Sequence, residues 1–147
     1  MWESADVAEV ENGDLTTVAR KREEDEVRVL FVEDDPTVAQ MYRLKLELDG
    51  YAVDVASDGE QAVSRATSEP PDIIFLDIRL PKLDGLEVLE ALRRHERTRQ
   101  VPVVILSNYS ERELIERGLK LGALEYLVKS QTTPAKVAGG VEDWLKA

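Results

Sequence analysis

The sequence predicts a doubly wound α/β domain, in which a five-stranded parallel sheet is covered by helices on both faces. Two observations predict this fold. Short, apolar, β-branched runs recur five times, and a segment with helical spacing or a helix-start signal follows each of them. Strands that alternate with helices pair in parallel, and both faces of such a sheet are buried. The 147 residues are enough for one domain with a substantial core.

The first strand is predicted over residues 27–32, VRVLFV, which are mostly apolar. Asp35 and Pro36 then combine an N-cap with a proline at the first helical position. The first helix is expected to continue until Gly50. Its apolar residues fall at helical spacing at Val38, Met41, Leu44 or Lys45, and Leu48.

The four strands after the first are predicted over residues 51–56, 72–77, 101–107 and 123–129. The second and third helices, which lie between these strands, have clear start signals. Asp58 begins the second helix, which extends to about Ser68. Asp84 begins the third helix and stands three residues before Glu87, as in a capping box. Each of these helices therefore has a side chain that can bind its free N–H groups.

The fourth and fifth helices are predicted from weaker signals. Ser110, with Glu113 three residues later, is expected to cap the fourth helix. Thr133 and Pro134 begin the fifth, although Gly139–Gly140 in its middle weakens it. Its apolar side chains share one face and are expected to pack on the core; they are Val137, Val141, Trp144 and Leu145.

Charged and polar side chains end or directly follow four of the predicted strands. They are Glu33, Asp34 and Asp35 after the first strand, Asp77 at the third, Ser107 at the fourth and Lys129 at the fifth. Parallel sheets of this kind bind ligands beyond the carboxyl ends of their strands. Two like charges 4 Å apart repel by about 1 kcal/mol in water and about 4 kcal/mol at an effective dielectric near 20, so the crowded carboxylates need a cation. One lysine cannot neutralise them all, which predicts a bound metal ion.

The side chains available indicate which metal. The chain has no cysteine and one histidine, so cysteine sites and multi-histidine zinc sites are excluded. Carboxylate and carbonyl oxygens select magnesium, manganese or calcium, and magnesium is favoured because it commonly accompanies phosphoryl groups. A carboxylate is also a competent nucleophile for phosphorus. Asp77, between the acids of the first strand and Ser107, is therefore the natural nucleophile of a phosphoryl transfer.

Four ordered motifs, VLFVEDDP, DIIFLDIRLPKLDG, PVVILS and EYLVK, closely resemble the receiver domain of two-component response regulators. The resemblance covers residues 27 to about 146. It implies a flavodoxin-like sheet with strand order 2-1-3-4-5. It also implies magnesium as the cofactor and an aspartyl phosphate as the signalling state.

The resemblance implies a role for each acid. Glu33 and Asp34 look like the acidic pair of the family, Asp34 bound to magnesium directly and Glu33 mainly through water. Asp77 looks like the phosphoacceptor and a further magnesium ligand. The backbone carbonyl of Arg79 looks like another ligand. Asp35 lies outside this pair and is expected to serve as the helix N-cap.

The remaining site residues are assigned by the same resemblance. Ser107 looks like the switch hydroxyl that binds the phosphoryl group, and Lys129 would pair with that group. Tyr126 looks like the aromatic residue whose rotamer reports activation. Ser130 stands where the family commonly has proline after a cis bond, so the loop after Lys129 is expected to be trans and shaped differently.

Three residues fall at positions that resemble those tuning dephosphorylation in the family. Arg79 and Tyr109 occupy the two variable positions, and Asn108 follows the switch hydroxyl, where small residues are usual. We expect Asn108 and Tyr109 to hinder the attacking water. The phosphorylated lifetime should therefore be long.

The function implied is that of a response regulator that takes a phosphoryl group from a histidine kinase. No output domain is predicted after the fifth helix, so a single-domain regulator of a downstream protein, or a relay to a histidine phosphotransfer protein, is expected. The net charge of −11 argues against nucleic acid as a direct partner. No apolar run is long enough for a membrane span, and a cytoplasmic location is the default.

The segment before the first strand has a different composition. Residues 1–26 contain nine acidic and three basic side chains and are expected to form a disordered or loosely helical tail. Homodimerisation through the fourth helix, fifth strand and fifth helix is implied by the resemblance alone.

Two other functions stay open. Haloacid-dehalogenase-like phosphohydrolases also use an aspartate nucleophile with magnesium. They require a second acid two residues after the nucleophile, where this chain has Arg79. A receiver-like binding module that is never phosphorylated is the other alternative, regulated by dimerisation or by the acidic tail.

Overall fold

The computed structural model describes residues 26–147, so all but Glu26 of the predicted tail, residues 1–26, lies outside the described residues. Five strands alternate with five helices: β1 (Arg28–Val32), α1 (Pro36–Leu48), β2 (Ala52–Ala56), α2 (Gly59–Ser68), β3 (Ile73–Leu76), α3 (Gly85–Arg94), β4 (Val103–Ser107), α4 (Arg112–Lys120), β5 (Glu125–Val128) and α5 (Pro134–Lys146). All strand pairs are parallel, in the order β2-β1-β3-β4-β5. The predicted fold and strand order are confirmed. In the described range, no helix has the length and apolar character needed to cross a lipid bilayer.

The register of the strands places the predicted site residues side by side. Val32 of β1 pairs with Leu76 of β3, so Glu33 and Asp77, one residue further along, leave the sheet as neighbours. In the same way, Ser107 ends β4 opposite Val128, the residue before Lys129. The carboxyl end of the sheet therefore gathers residues that are far apart in the sequence.

The core has two apolar layers, one on each face of the sheet. Successive side chains of a strand point to opposite faces. In β1, Leu30 and Val32 pack with α2 and α3, whereas Val29 and Phe31 pack with α1 and α5. Each fully buried aliphatic or aromatic side chain contributes about 1.5–3 kcal/mol. The strand ends are thus supported by packing on both faces.

Three of the four apolar positions that identify α1 in the sequence, all but Val38, do not face the sheet. Met41, Leu44 and Leu48 are 49%, 57% and 73% exposed. The buried residues of α1 are instead Ala39, Tyr42 and Leu46. The ring of Tyr42 stacks on Phe31 of β1, with ring centroids 5.0 Å apart. Because α1 carries apolar residues on two sides, its packing on β1 decides which side is buried.

Side-chain caps start four of the five helices. These caps are Asp35, Asp58, Asp84 and Thr133, as predicted. The helix α4 is the exception, because Glu111 is its N-cap residue and makes no side-chain cap bond. The predicted cap by Ser110 with Glu113 is therefore wrong. The loop before α4 is shaped instead by backbone contacts of Tyr109, and the helix begins only after it.

The glycine pair in α5 does not interrupt the helix. A Cβ on Gly140 would lie 2.7 Å from the Trp144 ring, so glycine leaves room for this large side chain. Trp144 packs edge-on against Phe75, with ring centroids 5.6 Å apart. The predicted inward face of α5 is thus observed, with Val137 and Val141 fully buried.

Candidate functional site

Asp77 lies directly after β3, at the carboxyl end of the sheet. Its backbone N–H donates to the carbonyl of Val32 at 3.2 Å, which joins it to the end of β1. Its side chain is only 9% exposed, and Oδ1 accepts a 2.7 Å hydrogen bond from the N–H of Ile78. The second oxygen, Oδ2, faces Lys129 at 3.0 Å. Both oxygens of this carboxylate are therefore held in place.

Two glycines let the surrounding backbone approach Asp77 closely. A Cβ on Gly85 would lie 2.0 Å from the carbonyl oxygen of Asp77, and the N–H of Gly85 donates to the carbonyl of Ile78 at 2.7 Å. A Cβ on Gly59 would lie 1.9 Å from the carbonyl oxygen of Leu83, in the loop between β3 and α3. Neither glycine is predicted from the sequence to position the site. The available signal was that each directly follows the aspartate cap of its helix.

Lys129 bridges Asp77 and Glu33. Its Nζ donates to Oδ2 of Asp77 and to Oε1 of Glu33. Burial raises the pKa of Glu33, whereas hydrogen bonds from Lys129 and from the N–H of Asp35 oppose the shift. Burial alone would lower the pKa of Lys129, but the two carboxylates outweigh it and the pKa is raised. Lys129 therefore stays protonated and positively charged at the centre of the site.

Glu33, Asp34 and Asp77 form a group that suits a metal ion. Each offers one carboxylate oxygen, and these three oxygens lie within 4.8 Å of one another. Glu33 and Asp77 are buried, whereas Asp34 is exposed. Lys129 cannot offset three negative charges, and magnesium binds through carboxylates while keeping several waters. The residues present therefore fit a divalent cation such as magnesium.

These side chains open into a cleft of about 540 Å³. Seven of the nine predicted site residues line it: Glu33, Asp34, Asp77, Arg79, Asn108, Tyr109 and Lys129. The opposite wall comes from α1 and the turn before α5 and includes Met41 and Thr132. No sequence signal pointed to these two residues, because only the packing of α1 and α5 brings them to the cleft.

The rim of the cleft carries a cation–π contact. The guanidinium of Arg79 lies 4.7 Å from the centroid of the Tyr109 ring. Arg79 stands two residues after Asp77, and Tyr109 stands two residues after Ser107. The contact therefore joins the loops after β3 and β4 beside the Asp77 carboxylate.

Ser107 and Tyr126 lie behind the cleft wall. Ser107 is fully buried, and its Oγ accepts a 3.1 Å hydrogen bond from the N–H of Tyr109. The phenol of Tyr126 donates to the carbonyl of Tyr109 at 2.6 Å, and burial raises the pKa of Tyr126, so the phenol keeps its proton. The backbone of Tyr109 thus connects the two predicted switch residues to the rim.

The loop after Lys129 leads directly into α5. Residues 26–147 contain no cis peptide bond, so the bond between Lys129 and Ser130 is trans. The chain continues as a 3-10 turn, Lys129–Gln131, and Thr133 then caps α5. Ser130 lines the cleft next to Lys129.

Comparisons of the sequence with known proteins point to one family. A family profile described as the response regulator receiver domain matches residues 29–137. The DNA-binding dual master transcriptional regulator RpaA of Synechocystis sp. is 39% identical over 102 residues, which cover 69% of this chain and 42% of that protein. The chain thus spans less than half the length of this curated relative.

Solved structures with the same fold agree with the sequence comparison. The chemotaxis protein CheY4 of Vibrio cholerae has a TM-score of 0.74 at 28% identity, covering 80% of this chain and 98% of that one. The receiver domain of the sensor histidine kinase PA1611 of Pseudomonas aeruginosa has a TM-score of 0.76 at 31% identity, covering 83% and 99%. That structure is described with a magnesium ion coordinated in the active site cleft.

Proposed function

The chain belongs to the family of response regulator receiver domains, and on this basis we propose that Asp77 accepts a phosphoryl group from the phosphohistidine of a histidine kinase or histidine phosphotransfer protein. One observation carries the proposal. The Asp77 carboxylate lies 3.0 Å from the ammonium of Lys129 and has carboxylate oxygens of Glu33 and Asp34 within 4.8 Å, in a cleft open to solvent. This group has the nucleophile, the fixed cation and the metal-binding oxygens that phosphoryl transfer needs.

The reaction exchanges one bond to phosphorus for another. A carboxylate oxygen of Asp77 attacks the phosphorus, and a P–O bond forms while the P–N bond to the donor imidazole breaks. The imidazole nitrogen leaves with the electron pair and takes a proton from solvent. Hydrolysis of the acyl phosphate later returns the carboxylate and inorganic phosphate. The chain acts on no other substrate in this scheme, so it is a signalling phosphoacceptor rather than an enzyme.

The residues around Asp77 would position the incoming phosphoryl group and neutralise its negative charge. Lys129 holds Oδ2 of Asp77 and would bind an oxygen of the incoming phosphoryl group. Receiver domains bind magnesium at their acidic site, and Glu33, Asp34, Asp77 and the carbonyl of Arg79 are the groups that would hold it in this chain. When bound, magnesium supplies neutralisation of the negative charge on the transferring phosphoryl group.

The change at Asp77 would reach the surface through the loop after β4. Phosphorylation adds about 1.5 to 2 negative charges, which would draw the hydroxyl of Ser107 toward the phosphoryl group. Ser107 accepts the N–H of Tyr109, and Tyr126 holds the carbonyl of the same residue, so a shift of Ser107 would move both. We propose that the signal then passes by contact with a downstream protein. The net charge of −11 supports a protein partner over nucleic acid.

The rim residues would set the lifetime of the phosphorylated state. Water must reach the phosphorus from the cleft side, and the stacked side chains of Arg79 and Tyr109 stand on that side. The exposed side chain of Asn108 lies beside them. We propose that these three residues slow hydrolysis by restricting the approach of water.

Incubation with magnesium and acetyl phosphate, followed by intact mass, tests the proposal. The chain should gain the mass of one phosphoryl group, which is lost at alkaline pH as expected of an acyl phosphate. Asp77→Asn should gain none. Asp35→Asn is the matched control, because it changes a neighbouring acid outside the cluster and asparagine also caps helices.

Two other results would contradict the proposal. Steady release of phosphate from many substrate molecules would indicate a phosphohydrolase. An unchanged mass for the wild-type chain in the presence of magnesium would indicate a binding module that is not phosphorylated.

A further inference from the structure

The side of α1 that faces away from the sheet exposes an apolar stripe, which we define as Met41, Leu44 and Leu48 and call the α1 stripe. These side chains are 49%, 57% and 73% exposed and lie three and four residues apart, on one side of the helix. Within residues 26–147, only Leu119 and Leu124 are other large apolar side chains classed as exposed, and they belong to a different surface. A contiguous exposed apolar surface of this kind marks a place of interaction.

Two cations flank the centre of the α1 stripe. Arg43 and Lys45 are the sequence neighbours of Leu44, so they project about 100° to either side of it. Each pairs with a carboxylate four residues later, at 3.2 Å and 3.1 Å. These pairs are solvent-exposed, and exposed pairs contribute little to stability. The surface therefore has an apolar centre with a weakly paired cation on either side.

The chain enters the fold beside the end of this stripe. The carbonyl of Val27 accepts the N–H of Ala52 at 2.9 Å, and Ala52 is only four residues beyond Leu48. Val27 also packs against the apolar layer that contains Leu46 of α1. Val27, the second described residue, therefore packs on the same face of the sheet as α1.

The sequence of that preceding segment complements the stripe in charge and length. Residues 1–19 contain five acidic side chains and no basic one. Residues 9–11, Glu-Val-Glu, place an apolar side chain between two carboxylates, whereas residues 43–45, Arg-Leu-Lys, place one between two cations. The nine steps from Val18 to Val27 can span up to about 30 Å, and the eleven steps along α1 from Thr37 to Leu48 cover about 16 Å, so the segment can reach the whole stripe.

We propose that residues 7–18 bind the α1 stripe of the same chain, with Val10 against Leu44 and the flanking glutamates facing Arg43 and Lys45. Met41 belongs both to the stripe and to the cleft wall. The binding itself does not depend on the phosphoacceptor role.

Met41 provides a direct reporter in the full-length chain. The chain has two methionines, Met1 and Met41, so methyl-labelled methionine gives at most two NMR signals, and Met41→Leu identifies the one of interest. A soluble gadolinium chelate broadens the signals of methyl groups that solvent can reach. In the wild-type chain the Met41 methyl should be protected. In Glu9→Lys/Glu11→Lys its relaxation enhancement should rise severalfold.

Charge reversal on the other partner completes the experiment. Arg43→Glu/Lys45→Glu should expose Met41 to the same extent, and combining both pairs of substitutions should restore protection, because the charges again match. Glu23→Lys/Glu24→Lys is the matched control, since it changes the net charge equally outside residues 7–18 and should leave Met41 protected.

Three results would overturn the proposal. The first is equal accessibility of Met41 in the wild type and in Glu9→Lys/Glu11→Lys. The second is failure of the combined variant to restore protection. The third is protection that disappears on dilution, which would assign the stripe to a second copy of the chain.

Discussion

Each end of the sheet carries one basic side chain between two carboxylates, and the two groups differ chiefly in burial. At the amino end, Arg28 pairs with Asp54 at 3.3 Å and with Glu69 at 2.9 Å. The two carboxylate side chains are 57% and 73% exposed. Water and salt screen such pairs, and each contributes about 0–1 kcal/mol. The amino-end group can therefore support the fold but stores little electrostatic energy.

At the carboxyl end, Lys129 pairs with Glu33 and Asp77, whose side chains are 3% and 9% exposed. Removing such charges from water costs several kcal/mol per ion, which mutual attraction only partly offsets. A third acid, Asp34, adds repulsion that the lysine does not cancel. The comparison teaches that the same combination of residue types supports the fold when it is exposed and, when it is buried, forms the site for which we propose phosphorylation and metal binding.

Removing the cation at each end tests the comparison most strongly. Lys129→Met should lower the free energy of unfolding by about 3 kcal/mol in magnesium-free buffer, because it leaves Glu33 and Asp77 buried without their cation. Arg28→Met, the matched change at the amino end, should cost less than about 1 kcal/mol. Urea unfolding followed by circular dichroism measures both values. Similar losses for the two variants would show that burial does not separate the two groups.

Backbone crowding at the carboxyl end should give the next largest effect. Gly85→Ala should cost about 2 kcal/mol and slow phosphorylation of Asp77, because the new Cβ would have to displace the carbonyl oxygen that lies 2.0 Å away. Gly139→Ala in α5, where a Cβ meets nothing within 4 Å, should stabilise by about 0.5–1 kcal/mol and leave phosphorylation unchanged. Unfolding curves and phosphorylation rates with acetyl phosphate check both. Wild-type behaviour of Gly85→Ala would contradict the close approach.

Magnesium should stabilise the fold through the carboxyl end of the sheet and not through the amino end, by a smaller free energy than the changes above. At ten times its dissociation constant, magnesium should raise the free energy of unfolding by about 1.4 kcal/mol, since it binds the folded chain alone. Asp34→Asn should lose most of this gain because it removes one of the three oxygens of the cluster. Arg28→Met should keep the full gain. Thermal unfolding with and without magnesium gives the comparison, and an equal response in all three proteins would place the ion elsewhere.

The smallest effect is expected at the rim of the carboxyl end. Tyr109→Ala should speed hydrolysis of the phosphorylated chain by about two- to fivefold, which corresponds to the 0.5–1 kcal/mol of an exposed cation–π contact. Tyr109→Phe keeps the ring over which Arg79 lies and should stay close to the wild type. Loss of the phosphoryl mass with time gives both rates. An unchanged rate in Tyr109→Ala would remove the shielding role from this residue.

Much of the site could be predicted because parallel strands end at a common edge. Glu33 directly follows a predicted strand, whereas Asp77 and Lys129 are the last residues of theirs. The strand register brings Lys129 into hydrogen-bond contact with both acids. The sequence also predicted four of the five caps, since an aspartate or threonine cap acts within its own first turn. These features depend on a few adjacent residues and on one topological rule.

Features that depend on how elements pack together were not predictable in the same way. The buried side of α1 is set by the stacking of Tyr42 on Phe31, whereas the more obvious aliphatic residues of α1 remain exposed. The start of α4 was predicted at Ser110 and lies later, because the preceding loop follows the contacts of Tyr109 with β4 and β5. Periodicity locates a helix but does not fix its rotation or the path of its loops.

The sequence by itself therefore determined the order of elements, the parallel sheet and the set of side chains at its carboxyl end. Only the tertiary structure decided that Ser107 is buried behind the cleft, that Arg79 meets Tyr109 across the rim, and that Gly85 touches the backbone of Asp77. The physical reason is the separation along the chain of the residues that interact. Hydrogen-bond caps and strand periodicity act between neighbours along the chain, whereas burial and close approach depend on packing between elements that the chain brings together from far apart.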